Sequence, residues 1–330
     1  MPAYPPALDA LQALPGMVVR RVENPEEKSR RLPTELIRDC DLLFCTFPPE
    51  NLEEMTNLKL IQISSAGYNQ LVNKGLTERG IRACNSLGVF DVPIGEWNLA
   101  MMINLARDVR GLVRNQEAGV WDRSIRFQKE IRGSVVGIWG YGGIGRETAR
   151  LAKALGMTVH VLARHDIGPR LNTYCVPGTG DPDGVLPDRV FLAADRDEFL
   201  RGLDFLILAI PQTSSTAGII GETELQLLPP GAFLLNPARG PLVQEHALLR
   251  ALREGWIAGA ALDTHYQYPM PPDHPLWSLP NVLMTPHISG SSGSPRFLER
   301  VYAIFGGNAQ RISQGEPLLN ELTPAQLRGE

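Results

Sequence analysis

The stretch VVGIWGYGGIGRETARLAKALG, residues 135–156, decides the fold. Val135–Trp139 is an apolar run of strand length. Residues 143–155 carry apolar side chains at helical spacing, and Gly156 stands where a helix C-cap belongs. Between strand and helix lies Gly140-x-Gly142-x-x-Gly145. The first glycine of such a turn permits the tight bend, the second lets the backbone approach a pyrophosphate, and the third lets helix pack close to strand. The helix then presents free N–H groups to an anion. In a protein with 32 glycines the triplet alone is a weak signal. Placed after a strand and opening a helix, it predicts a dinucleotide site formed by Gly140, Tyr141, Gly142, Gly143, Ile144 and Gly145.

Outward from this element, short apolar runs alternate with amphipathic segments. On the N-terminal side, residues 17–22, 41–47, 58–64 and 82–85 read as strands. On the C-terminal side the same holds for 158–162, 204–210, 232–236, 257–263 and 282–285. The alternation predicts an α/β protein of two Rossmann-like, doubly wound parallel-sheet domains. One long helix is expected from Pro93 to about Asn115, with Ile94, Trp97, Met101 and Leu105 at helical spacing. A last helix should start with Pro295 at N1 and carry Phe297, Val301 and Phe305 on one face. Residues 172–188, NTYCVPGTGDPDGVLPD, read as an irregular excursion. A lid over the adenosine end of the cofactor and a surface elaboration without function are both open for it.

The residue ending the strand after the glycine loop selects between cofactors. An acid there would bind the ribose hydroxyls of NAD. This protein reads Ala163-Arg164-His165 instead. A guanidinium pairs with a 2′-phosphate through two charge-assisted bonds, so NADP(H) is the preferred cofactor and NAD(H) the other possibility. The alternative is a solvated arginine at a strand end.

Length and composition set the outer limits. At 330 residues the protein suits two domains, with 43% hydrophobic and 21% charged residues. A net charge of −4 supplies no basic field for nucleic acid or anionic lipid. Cys40, Cys45, Cys84 and Cys175 form no C-x-x-C pair and have no histidine at ligand spacing, so no metal site is expected. The proline-interrupted N-terminus does not read as a secretory leader, and no apolar run reaches the ~18 residues of a membrane span. The expectation is a cytoplasmic protein.

The second half carries IPQTSSTAGII (210–220), LLNPARGPLV (234–243), AGAALD (258–263) and HPLWSLPNVLMTPHISGSS (274–292). With the glycine loop and SSAGYNQL (64–71), in this order through nearly the whole sequence, they resemble the D-isomer-specific 2-hydroxyacid dehydrogenase family, glyoxylate/hydroxypyruvate reductases included. The resemblance implies that Arg239 binds the substrate carboxylate and carbonyl, for which its planar fork is suited. It implies that His287 is the acid/base, where imidazole has the only unperturbed side-chain pKa near neutrality. It further implies that Pro211, Thr213, Asn236, Ala238, Asp263 and Gly290 line the cofactor, and that Ser65, Ala66 and Gly67 hold the substrate carboxylate through backbone N–H groups. Asn85 and Glu96 match positions near the domain junction, where a structural role is equally open, and Trp277 either walls the substrate pocket or packs. The family architecture implies a substrate domain at 1–96 and 289–330 and a dinucleotide domain at 97–288, with the active site in the cleft. It also implies a homodimer built around the long helix and GVWDRSIRFQKE (119–130).

One position departs from the family. A glutamate usually stands 29 residues after the arginine, against the histidine; here Tyr268, within THYQYPMPP, takes that place. A carboxylate would stabilise imidazolium, whereas a phenol neutral at pH 7 can only hydrogen-bond. The leading expectation is NADPH-dependent reduction of a small 2-oxo acid to a D-2-hydroxy acid. Two alternatives stay open: oxidation of another small anion in the manner of formate or phosphite dehydrogenases, and a dinucleotide-sensing scaffold with weak catalysis.

Overall fold

Two hydrophobic series build two separate units in the computed structural model, which describes residues 3–22 and 28–329. Unit 1 comprises Met1–Val89, Leu171–Val176 and Gly293–Glu330; unit 2 comprises Phe90–Arg170 and Pro177–Ser292. The division differs from boundaries at 96/97 and 288/289. Asp91–Glu96 belong to a helix that continues to Ala106 in unit 2, and Ser289 is bonded to Asp263 of the same unit. Residues 171–176 group with unit 1, where Asn320 donates its N–H to Asn172 O and accepts one from Tyr174.

Unit 1 holds three parallel strands in the order β1 (Leu42–Cys45), β2 (Leu60–Ile63) and β3 (Arg82–Cys84). The middle strand is buried throughout. Helix Pro295–Gln314 covers β1, with Phe305 stacked on Phe44 at 4.9 Å between ring centroids. Ser294 caps it and Pro295 takes N1, as expected from the sequence. The strand expected at residues 17–22 does not form. Val18 is 78% exposed there, so the run has no buried face to hold it in register.

Unit 2 is a seven-stranded parallel sheet. Its strands are β4 (Val135–Trp139), β5 (Thr158–Leu162), β6 (Arg189–Phe191), β7 (Phe205–Leu208), β8 (Phe233–Asn236), β9 (Gly259–Leu262) and β10 (Val282–Met284). The order β10-β9-β8-β7-β4-β5-β6 reverses direction between β4 and β7, the switch point at which such sheets bind ligands. β6 was not legible: two of its three residues are exposed and it pairs only at the sheet edge. The single helix expected over residues 93–115 is two helices, Asp91–Ala106 and Val109–Glu117. Asp108 breaks it by adopting φ +43 and capping the second helix through the N–H of Gly111. Residues 172–188 form neither helix nor strand. No helix among the described residues is long and apolar enough to cross a membrane.

Candidate active site

The glycine loop leaves β4 with each glycine in a distinct environment. Gly140 has φ +100, and a Cβ there would lie 2.6 Å from Ala209 O. Gly145 packs against Gly140 O and Ile138, so helix and strand approach as closely as backbone allows. Gly142 faces open space. The N–H groups of Gly142, Gly143, Ile144 and Gly145 donate to no acceptor among the described residues. Open backbone and unpaired N–H groups at a helix N-terminus are what a pyrophosphate requires, so a dinucleotide fits. Gly143 is a glycine for another reason: the Asp91 carboxylate stands where its Cβ would be.

At the end of β5, Ala163 is half-buried while Arg164 and His165 are exposed. Arg164 has no hydrogen-bond or ion-pair partner among the described residues. Pro211 and Thr213 lie in an exposed turn after β7, held by Thr216 Oγ1, which accepts from Thr213 N (2.7 Å) and donates to Pro211 O (2.8 Å).

The latter part of the irregular excursion is fastened to the glycine helix. The Tyr141 hydroxyl donates to Asp181 Oδ2 at 2.6 Å, and Arg146 donates to the carbonyls of Asp181, Gly168 and Tyr141. Gly180 N–H donates to Glu147 Oε2 at 2.6 Å. Burial alone would raise the Asp181 pKa. The Tyr141 hydroxyl, the N–H groups of Leu186 and Val185, and Arg146 outweigh it and hold the carboxyl below the usual range. Asp181→Ala should therefore loosen Tyr141 and Arg146 and weaken binding of the nicotinamide dinucleotide about tenfold, given ~1.5–3 kcal/mol for a charged hydrogen bond. Fluorescence titration with NADH and with NADPH measures this; unchanged affinity would show that the brace does not serve the nucleotide.

Around β8, β9 and β10 the side chains organise two turns. Asn236, 1% exposed, accepts from the N–H of Ala238 (3.1 Å) and Arg239 (3.2 Å) and donates to Arg239 O (2.8 Å). Its amide is thus engaged in shaping the turn that exposes Arg239. Asp263, 0% exposed, accepts from Thr285 Oγ1 (2.6 Å), Ile288 N (2.9 Å), Ser289 N (3.0 Å) and Ser289 Oγ (2.5 Å). These four bonds fix the turn on which His287 stands at φ +57, a left-handed conformation that a non-glycine residue holds only when its surroundings impose it. Gly290 closes the turn against Phe90, whose ring leaves no room for a Cβ.

The charge of Arg239 acts on His287. Partial desolvation lowers the His287 pKa, the Asp263 carboxylate pulls it up, and Arg239 and His265 push it down; the net direction is down. Tyr268 does stand beside His287, with ring centroids 5.5 Å apart. Its hydroxyl accepts the N–H of His265 at 3.2 Å. His265 was missed by the sequence reading, because a lone histidine after an apolar strand looks like core. It is 7% exposed, its Nε2 meets Thr285 O at 2.8 Å, and its Nδ1 is buried without a partner among the described residues. Trp277, 45% exposed, donates Nε1–H to Pro271 O.

In unit 1, Ser65, Ala66 and Gly67 follow β2. Ser65 Oγ donates to Gly67 O (2.7 Å), and Asn85 Nδ2 donates to Ala66 O (2.7 Å), giving Asn85 a structural task. The N–H groups of Ala66 and Gly67 have no acceptor among the described residues, and Gly67 opens to free space. Glu96 is exposed on its helix.

Known proteins resemble this one in sequence and fold. The family model for the D-isomer specific 2-hydroxyacid dehydrogenase NAD binding domain matches residues 99–289. The chain is 31% identical over 288 residues to a glyoxylate reductase of Thermofilum pendens, an alignment spanning 85% of the present sequence and 80% of that protein. It is 32% identical over 282 residues to a putative 2-hydroxyacid dehydrogenase of Haemophilus influenzae, spanning 82% and 84%. A D-isomer specific 2-hydroxyacid dehydrogenase from Xanthobacter autotrophicus, solved with NADPH and MES, superposes with a TM-score of 0.72 at 27% identity over 97% and 95% of the two proteins. Fold and glycine loop, with the family match, define an NAD(P)-dependent oxidoreductase. The chain belongs to the D-isomer specific 2-hydroxyacid dehydrogenase family.

Proposed function

We propose that this protein reduces a small 2-oxo acid, of the size of glyoxylate or hydroxypyruvate, to the D-2-hydroxy acid, with NADPH as the preferred cofactor. The observation that carries the reading is the placement of Arg239 and His287 on two turns of one unit, each imposed by a buried side chain. When bound, the nicotinamide supplies the hydride to the carbonyl carbon. Arg239 holds the carboxylate and the carbonyl oxygen, and protonated His287 delivers the proton to that oxygen as it gains charge. The relatives named glyoxylate reductase support the substrate class.

The preference for NADPH rests on Arg164, exposed beside Ala163 and His165 and without a partner among the described residues. Arg164→Ser should lower kcat/KM with NADPH about tenfold, the equivalent of ~1.4 kcal/mol, and leave NADH almost unaffected. A parent enzyme equally efficient with both cofactors would end this assignment.

A homodimer is supported by the apolar side chains that unit 2 leaves exposed at Val113, Val120, Trp121 and Ile125. A cytoplasmic setting is supported by Cys40, Cys45, Cys84 and Cys175, which form no disulfide among the described residues.

The deciding experiment follows NADPH absorbance against a panel of 2-oxo acids. Turnover with one of them supports the proposal. Oxidation of formate or phosphite alone, or tight nucleotide binding without turnover, would overturn it in favour of the two other readings.

A further inference from the structure

His265 meets Tyr268, the Arg239 turn and the His287 turn, each through a different group. Its backbone N–H donates to the Tyr268 hydroxyl at 3.2 Å. Its backbone carbonyl lies so near Gly240, the residue after Arg239, that a Cβ there would sit 2.5 Å from it. Its ring Nε2 lies 2.8 Å from Thr285 O, the carbonyl that also accepts the N–H of His287 at 3.0 Å. A carbonyl only accepts, so Nε2 carries the proton and Nδ1 is the bare nitrogen. That bare nitrogen is buried with no donor to meet it among the described residues. Phenylalanine would fill the same volume without stranding a polar atom, so packing alone does not require imidazole.

We propose that His265 is a positioning residue for the reduction, holding the Arg239 turn and the His287 turn at one spacing through its backbone and its Nε2–H bond to Thr285. The proposal rests on the assignment of Arg239 and His287 to the reaction. The imidazole fixes the carbonyl from which the left-handed His287 turn departs, as Asp263 fixes the far side of that turn. The groups charged or titratable around His287 are Asp263, Arg239, His265 and Tyr268, and none replaces this bond.

The test compares His265→Gln, His265→Asn and His265→Phe in the full-length protein. A glutamine amide nitrogen reaches the place of Nε2, whereas an asparagine nitrogen reaches only that of Nδ1. Expected are a loss of about tenfold in kcat for the Asn and Phe variants, with NADPH affinity unchanged, and near-parental kcat for Gln. Equal activity of the Gln and Asn proteins, or a loss confined to nucleotide affinity, would overturn the proposal. A second readout is independent of turnover: nitrogen-resolved NMR of the parent imidazoles should show His265 as the Nε2–H tautomer and a His287 signal displaced in the Asn and Phe variants. The Nδ1–H tautomer, or a His287 signal indifferent to all three substitutions, would overturn it. If no 2-oxo acid is reduced by the parent, the substrate reading fails while the NMR result still decides the place of His265.

Discussion

Asp263→Ala is expected to lower kcat by about a hundredfold or more, because a shift of about 1 Å in a reacting group has that effect. The carboxylate binds four donors from Thr285, Ile288 and Ser289, and it does so at zero exposure. Without it those donors lose their acceptor, at about 1–3 kcal/mol for each left buried and unpaired. The His287 turn then has little to keep φ at +57, and the imidazole leaves the place that the turn gives it. Stability should fall with activity, by roughly 3–5 kcal/mol, as when one member of a buried charged set is removed. Asp263→Asn separates the two effects. It keeps the shape but points an N–H group at donors, so the turn distorts while the core stays filled. Thermal unfolding and kcat at saturating substrate measure both. The alternative role for Asp263, a direct contact to the nicotinamide, would appear as a raised KM for NADPH with kcat retained.

Local demands were legible in the amino-acid sequence, and long-range partners were not. The glycine loop was legible because each glycine answers a local demand: a positive φ at Gly140, open backbone at Gly142, contact at Gly145. Most strands of unit 2 were legible because burial on both faces leaves a continuous apolar run. The break at Asp108 was hidden, since apolar spacing continues across a residue whose left-handed turn breaks the helix. The roles of Asn236 and Asp263 were half legible. Motif position marks both residues, but only the fold shows that their polar atoms are engaged by the Arg239 and His287 turns. His265 was invisible for the same reason. Its partner is a backbone carbonyl twenty residues onward, and carbonyls leave no mark in a sequence.

Tyr268→Glu is expected to move the alkaline limit of 2-oxo acid reduction to higher pH. Reduction requires His287 protonated, so activity is present below its pKa and is lost as pH rises through it. In the parent that pKa lies below the ordinary value. Partial desolvation lowers it, Asp263 raises it, and Arg239 and His265 lower it again. Reduction should therefore fade on the acid side of neutrality, as pH rises through a value below that of an ordinary imidazole. Tyr268 stands 5.5 Å from His287 between ring centroids and brings no charge that would favour imidazolium. A glutamate there brings one, and each unit of upward movement raises the rate about tenfold on the alkaline limb. The sign reverses for oxidation of the hydroxy acid, which needs His287 unprotonated; there the acid limb moves to higher pH and neutral rates fall. Tyr268→Phe is the control. It removes the hydroxyl that accepts the His265 N–H without adding charge, so its rate should drop while the controlling pKa stays near that of the parent. Profiles of kcat/KM from pH 5 to 9, a range of about two units either side of neutrality, decide the matter for the three proteins. Superimposed curves for parent and Tyr268→Glu would show that position 268 does not govern His287, and that another group sets its protonation.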